Sequence, residues 1–156
     1  RFRRRDAVRY GFGCDHAGFE LKAALIEELV RAGHEVVDMG TDSGERTDFP
    51  IYANRVAEAV SEARLERGVL VCGTGLGMAL AAGRFPGVRA VTVGDCFSAR
   101  MSRRHNDANV LCLGARVIGA GLAVEILRAW MAEDFEGGHY AERLQMMKGG
   151  YEGVCR

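Results

Sequence analysis

Gly68-Val69-Leu70-Val71-Cys72-Gly73-Thr74-Gly75-Leu76-Gly77 is the stretch that decides how this chain folds. Residues 68–72 form a short unbroken apolar run, the pattern of a strand covered on both faces, as in a parallel sheet. Glycines then alternate through a turn, and Leu76 to Phe85 is small and helix-compatible. Strand, glycine turn and helix make the first half of a βαβ unit.

The same alternation continues in both directions. Upstream, Ala7–Gly13 reads as a strand and Gly18–Ala32 as a helix, with Leu21, Leu25 and Leu29 at i, i+4 and i+8. Gly33 closes that helix as a C-cap glycine. His34–Met39 reads as a second strand, Gly40–Pro50 as a polar loop and Ile51–Ala63 as a helix. Downstream come strands at Val88–Val93 and Asn109–Leu113, with a helix over Asp95–Arg104 between them. A long helix over Ile118–Ala132 carries Ile118, Leu122, Ile126 and Trp130 on one face, and a helical tail begins near residue 139. Trp130, Phe135 and the Met146-Met147 pair read as packing or interface residues, and His34 as structural. Strands alternating with helices predict an α/β fold: a single Rossmann-like three-layer domain over residues 7–148, with a five-stranded parallel sheet. Residues 1–6 are a basic extension.

Composition narrows the function. The 156 residues carry 21 Lys plus Arg against 21 Asp plus Glu, a net charge of +0. A nucleic-acid binder would show a basic excess, and so would a polybasic membrane-surface protein. Five cysteines, an odd number without a CxxC pair, fit neither a disulfide framework nor a common zinc spacing. They suit a reducing cytoplasm. No run approaches 18 apolar residues, and Arg1-Phe2-Arg3-Arg4-Arg5 lacks the apolar core of a signal peptide. Glycine is abundant, 21 residues against about 7% in ordinary chains, while proline numbers only 2, so tight turns rather than flexible linkers are expected.

Open α/β sheets bind ligands beyond the carboxyl ends of their strands. Three segments there carry reactive side chains: Cys14-Asp15-His16-Ala17-Gly18, Cys72 to Gly77, and His105-Asn106-Asp107, which the fourth strand's helix leads to. Amides of the turn Gly73–Gly77 can face an anion, and the same field favours a thiolate at Cys72. Cys72 is therefore a candidate nucleophile or base; the alternative is an inert buried strand cysteine. Asp15-His16 reads as an acid/base pair or as a polar loop. His105-Asn106-Asp107 reads as a functional triplet or as a turn, since Asn and Asp are turn formers. Arg116, His139 and Arg143 form a further set, the last two sharing a helix face, suited to a phosphate or simply solvated. Gly75-x-Gly77 with Asp95 some twenty residues on imitates a dinucleotide fingerprint, but Leu80 stands where the third small residue belongs.

Taken together, these segments resemble the type B ribose-5-phosphate isomerases, a family that includes galactose-6-phosphate and allose-6-phosphate isomerases. The resemblance spans residues 8 to 147. It rests on Gly13-Cys14-Asp15-His16-Ala17-Gly18-Phe19, Gly40-Thr41, Glu45-Arg46-Thr47-Asp48-Phe49-Pro50 and Tyr52-Ala53. Further on it rests on Cys72 to Gly77, Gly87-Val88-Arg89-Ala90, Ser102 to Asn109, Gly114 to Gly119 and Phe135-Glu136-Gly137-Gly138.

The resemblance implies interconversion of D-ribose 5-phosphate and D-ribulose 5-phosphate through a cis-enediolate, with no cofactor and no metal. It implies a homodimer or dimer of dimers whose active sites are shared between subunits, with neither nucleic acid nor membrane as partner. Cys72 matches the proton-transferring base, with Thr74 orienting it or bonding a substrate hydroxyl. His105 matches the ring-opening acid/base, and Asp15 the group that moves protons between oxygens. Gly73, Gly75, Gly77 and Asn106 would stabilise the oxyanion, while His16, Arg116 and Arg143 would hold the phosphate. His139 stands where many members have arginine, Phe49 where many have tyrosine and Gly83 where many have asparagine. These departures leave open another aldose phosphate: allose 6-phosphate, galactose 6-phosphate or a four-carbon sugar phosphate. A non-catalytic sugar-phosphate-binding subunit is the alternative outside enzymes.

Overall fold

A computed structural model describes residues 6–148, so the basic stretch over residues 1–5 and Cys155 lie outside the described residues. The elements run β1 (Arg9–Cys14), α1 (Phe19–Arg31), β2 (Glu35–Asp38), α2 (Phe49–Ser61), β3 (Arg67–Cys72) and α3 (Leu76–Ala82). They continue with β4 (Ala90–Thr92), α4 (Cys96–Arg104), β5 (Val110–Gly114), α5 (Ala120–Met131) and α6 (His139–Lys148). All five strands are parallel, in the order β2-β1-β3-β5-β4. This is the predicted α/β, Rossmann-like sheet.

Two apolar clusters cover the sheet, one per face. Leu21, Leu25 and Leu29 of α1 pack with Ile126, Leu127 and Trp130 of α5 against Phe12, Val69, Val71 and Leu113. Tyr52, Val56 and Val60 of α2 pack with Met78 of α3 against Leu70, Cys72, Val110 and Cys112. Alternate residues of β3 therefore enter opposite cores, as the two-residue strand period requires. Among the described residues, no helix is long and apolar enough to cross a membrane.

Several boundaries differ from expectation for physical reasons. α2 begins at Phe49, not Ile51, because Pro50 sits in the first turn, where its missing N–H costs nothing. α5 begins at Ala120, and its buried face is Ala123, Ile126, Leu127 and Trp130. Leu122 points outward and is 44% exposed. Met146 and Met147 are exposed on α6, which buries no residue, so they are not core. Asp95, the acid of the false dinucleotide motif, is the N-cap of α4: its carboxylate accepts from the Ser98 backbone N–H at 2.7 Å.

Candidate active site

The helix after β1 covers one face of the sheet and the helix after β3 covers the other. The crevice between these two strand ends is the topological switch point, where α/β sheets bind ligands. Asp15 lies directly beside the end of β3, its N–H donating to the Val71 carbonyl at 3.3 Å.

Cys72 ends β3 and is buried. Its Sγ accepts the Gly75 backbone N–H at 3.2 Å, so the turn orients the sulfur and supplies a donor. Gly75 adopts φ +78°, a left-handed conformation, and a Cβ there would meet the Leu113 carbonyl carbon at 3.0 Å. The Thr92 hydroxyl donates to the Gly75 carbonyl at 2.9 Å and locks the turn. Thr74 is exposed, and its Oγ1 accepts from the Leu76 N–H at 3.3 Å. Gly77 lies under the Phe49 ring, whose Cζ would stand 2.8 Å from a Cβ.

Two other strand cysteines, Cys14 and Cys112, are buried in the cores. Burial pushes the Cys14 thiol up to about 11. Burial also raises Cys112, which lies in the same core as Cys72. Both stay protonated at neutral pH.

Three further predicted residues join this end. Asp15 is buried, and its Oδ1 accepts from the N–H groups of Ala17 at 2.9 Å and Gly18 at 3.1 Å. Its Oδ2 takes no part in either bond. The His16 Nδ1 lies 3.1 Å from the Thr47 carbonyl and 3.2 Å from the Thr47 amide nitrogen, a contact in which Nε2 takes no part. Thr47 is itself held by Tyr52, hydroxyl to hydroxyl at 2.9 Å. Arg116 follows β5; its N–H donates to the Gly73 carbonyl at 3.0 Å, and its guanidinium side chain lies against Gly73.

The remaining predicted residues lie elsewhere, and this corrects the expectation that His105-Asn106-Asp107 stands beyond the strand carboxyl ends. α4 carries the chain back across the sheet, so His105 and Asn106 precede β5 and sit at its amino end. The length of β5, about 13 Å at roughly 3.3 Å per residue, separates them from the Cys72 end. His139 and Arg143 of α6 are with them. The His105 ring stacks on Tyr140 at 4.1 Å and 12°, and the Arg143 guanidinium lies 5.7 Å from the same ring. Asp107 is a structural clamp: its carboxylate accepts from Arg103 at 3.0 Å and from Arg89 at 2.9 Å. Within one chain the predicted site is thus two clusters at opposite ends of the sheet. Tyr140 and Thr47 are the members that sequence reasoning did not single out. Thr47 stood in a quoted motif, but nothing in that motif pointed to His16.

Residues 11–147 match the ribose/galactose isomerase family. The chain belongs to that family. Ribose-5-phosphate isomerase B of Escherichia coli (strain K12) is 48% identical over 137 residues, 88% of this chain and 92% of that protein. D-erythrulose-4-phosphate isomerase of Pectobacterium atrosepticum is 40% identical over 141 residues, 90% of this chain and 92% of that one. The structure of ribose-5-phosphate isomerase B from Clostridium thermocellum superposes with a TM-score of 0.88 at 43% identity, covering 90% of this chain and 95% of that one. This ribose/galactose isomerase therefore shares its fold with solved family members along nearly its whole length.

Proposed function

We propose that the chain interconverts D-ribose 5-phosphate and D-ribulose 5-phosphate, and that two copies build each active site. One observation carries the reading: Cys72 is oriented by the Gly75 amide, beside Asp15, His16 and Arg116, in a chain 48% identical to a ribose-5-phosphate isomerase B.

In the open-chain aldose, the Cys72 thiolate takes the proton from carbon 2 and the electron pair moves onto the carbonyl oxygen of carbon 1. The resulting enediolate needs donors already in place, which the amides of Gly73 and Gly77 supply, with the Asn106 side chain of a second copy, while the Gly75 amide stays on the Cys72 sulfur. Asp15 moves the proton from the oxygen on carbon 2 to the oxygen on carbon 1. The thiol then returns its proton to carbon 1, giving the ketose with no net change in atoms or electrons. His16 and Arg116 hold the phosphate from one side and His139 and Arg143 of the second copy from the other, so binding energy positions the reacting carbons. His105 of the second copy opens the furanose ring, with a side chain suited to proton transfer near neutral pH.

The second copy has physical support. Leu76, Phe97 and Val117 are 60%, 68% and 66% exposed, just past the carboxyl ends of β3, β4 and β5. Leu80 is 76% exposed and lines an open cavity of about 590 Å³ with Phe49, Gly77 and Arg84. Large exposed apolar groups around a site mouth suit a subunit interface. The thiols of Cys14, Cys72, Cys96 and Cys112 are free, which supports a reducing, cytoplasmic setting.

A four-carbon substrate is the second reading, favoured by the 40% identity to a D-erythrulose-4-phosphate isomerase. Catalytic efficiencies on four-, five- and six-carbon aldose phosphates decide between them. Ribose 5-phosphate should lead; a four-carbon substrate at least tenfold better would replace it.

A further inference from the structure

We propose that Tyr140 is a positioning residue that sets the His105, His139 and Arg143 side chains as one unit. The inference rests on the reading of those three as substrate-facing.

The chain's route builds the unit. Glu136 docks on the end of α4, its N–H donating to the Arg104 carbonyl at 3.0 Å while its carboxylate pairs with the Arg104 guanidinium. Gly137 and Gly138 follow at φ +69° and +56°, left-handed values that favour glycine, and turn α6 back along that end. The Tyr140 N–H closes the turn on the Gly137 carbonyl at 3.1 Å. The phenol ring thus arrives flat against His105, with centroids 4.1 Å apart and planes 12° apart. His139 lies against the same ring at 4.0 Å and 38°, and the Arg143 guanidinium at 5.7 Å. Tyr140 is the contact these three groups share. α6 buries no residue, so helix packing alone does not fix the side chains of His139 and Arg143. A planar ring can fix an imidazole by stacking and a guanidinium by cation–π attraction, and neither contact needs the hydroxyl.

The test compares Tyr140→Leu with Tyr140→Phe by kcat and KM on ribose 5-phosphate, by inhibition with inorganic phosphate, and by the NMR shift of the His105 ring protons. Removing the plane should lower kcat and raise KM, together costing about tenfold or more in kcat/KM, as sub-ångström to 1 Å misplacement does. Phosphate inhibition should weaken and the ring-current shift of His105 should vanish. Tyr140→Phe should restore all four readouts to within about twofold, because the planar ring remains. Wild-type kcat and KM in Tyr140→Leu would overturn the proposal. So would a Phe variant as impaired as the Leu variant, since the hydroxyl would then act on substrate directly. Should Tyr140→Leu melt well below the parent protein, the His105 shift in Tyr140→Phe still decides, because loss of stacking there contradicts the proposal. A parent protein that isomerises none of the four-, five- and six-carbon aldose phosphates would instead sink the isomerase reading itself, so the two failures are distinguishable.

Discussion

At the scale of single residues, three buried thiols differ in what their sulfurs meet. Cys14 and Cys112 lie inside the two cores, where burial holds them protonated. Cys72 stands one residue from a turn whose backbone N–H reaches its sulfur. Cys72→Ala should therefore lower kcat by about 10²- to 10⁴-fold, the usual contribution of a positioned acid/base group, and leave KM and melting temperature nearly unchanged. Steady-state kinetics with a thermal melt check this; a kcat within a few-fold of the parent would reassign the base. The place of Cys72 at the end of β3, ahead of the glycine turn, was legible from the apolar run and the alternating glycines, while an acting thiol and an inert strand cysteine stayed equally open until the family resemblance. Phe49 was legible only as a departure from the family pattern. Its place against Gly77 depends on where α2 starts, which the polar run before Pro50 does not reveal.

At the scale of elements, α1 and α5 are joined by a charged lock as well as by their apolar faces. Glu28, nearly buried on α1, accepts from Arg128 of α5 at 2.8 Å and from Arg31 of its own helix. The bond from Arg128 is the chief reason its carboxyl titrates below the ordinary glutamate range, with burial opposing and Arg31 assisting. A carboxylate whose pKa is lowered by folding stabilises the folded state above its unfolded pKa, about 4.3, and loses that contribution as pH falls through its folded value. Glu28→Gln should thus lower the melting temperature by a few degrees at pH 7 and by progressively less below pH ~4, the modest size reflecting solvent-facing arginines. An equal deficit at pH 7 and pH 3 would contradict the lock. The helices themselves were readable from periodicity. The phase of α5 was not: Ile118 and Leu122 fit the same stripe as Ile126, yet the helix starts only at Ala120 and Leu122 turns outward.

At the scale of the whole molecule, sheet direction divides the predicted site. Parallel strands put every βα turn at one end, which gathers Cys72, Asp15, His16 and Arg116 there. The αβ turns lie at the other end, where His105, Asn106, His139 and Arg143 meet around Tyr140. Reactive residues can be recognised one by one in a sequence, but which end of a strand they occupy depends on reading each helix as a return crossing. The His105 segment follows a helix rather than a strand, which put it at odds with its expected place, and Arg116 is parted from His139 and Arg143, with which it had been grouped. The family resemblance already implied sites shared between subunits; the division supplies a geometric reason, since no single copy brings a βα end to its own αβ end.

The most direct test mixes two inactive variants, Cys72→Ala and His105→Asn, denatured together and refolded at equal concentration. In a two-fold dimer with shared sites, half of the molecules are mixed, and each mixed molecule holds one site with both residues intact. With shared sites, about a quarter of wild-type activity should return from two preparations that are each inactive alone. If every mixture stays as inactive as its parents while the refolded protein is dimeric by light scattering, the site does not cross between copies.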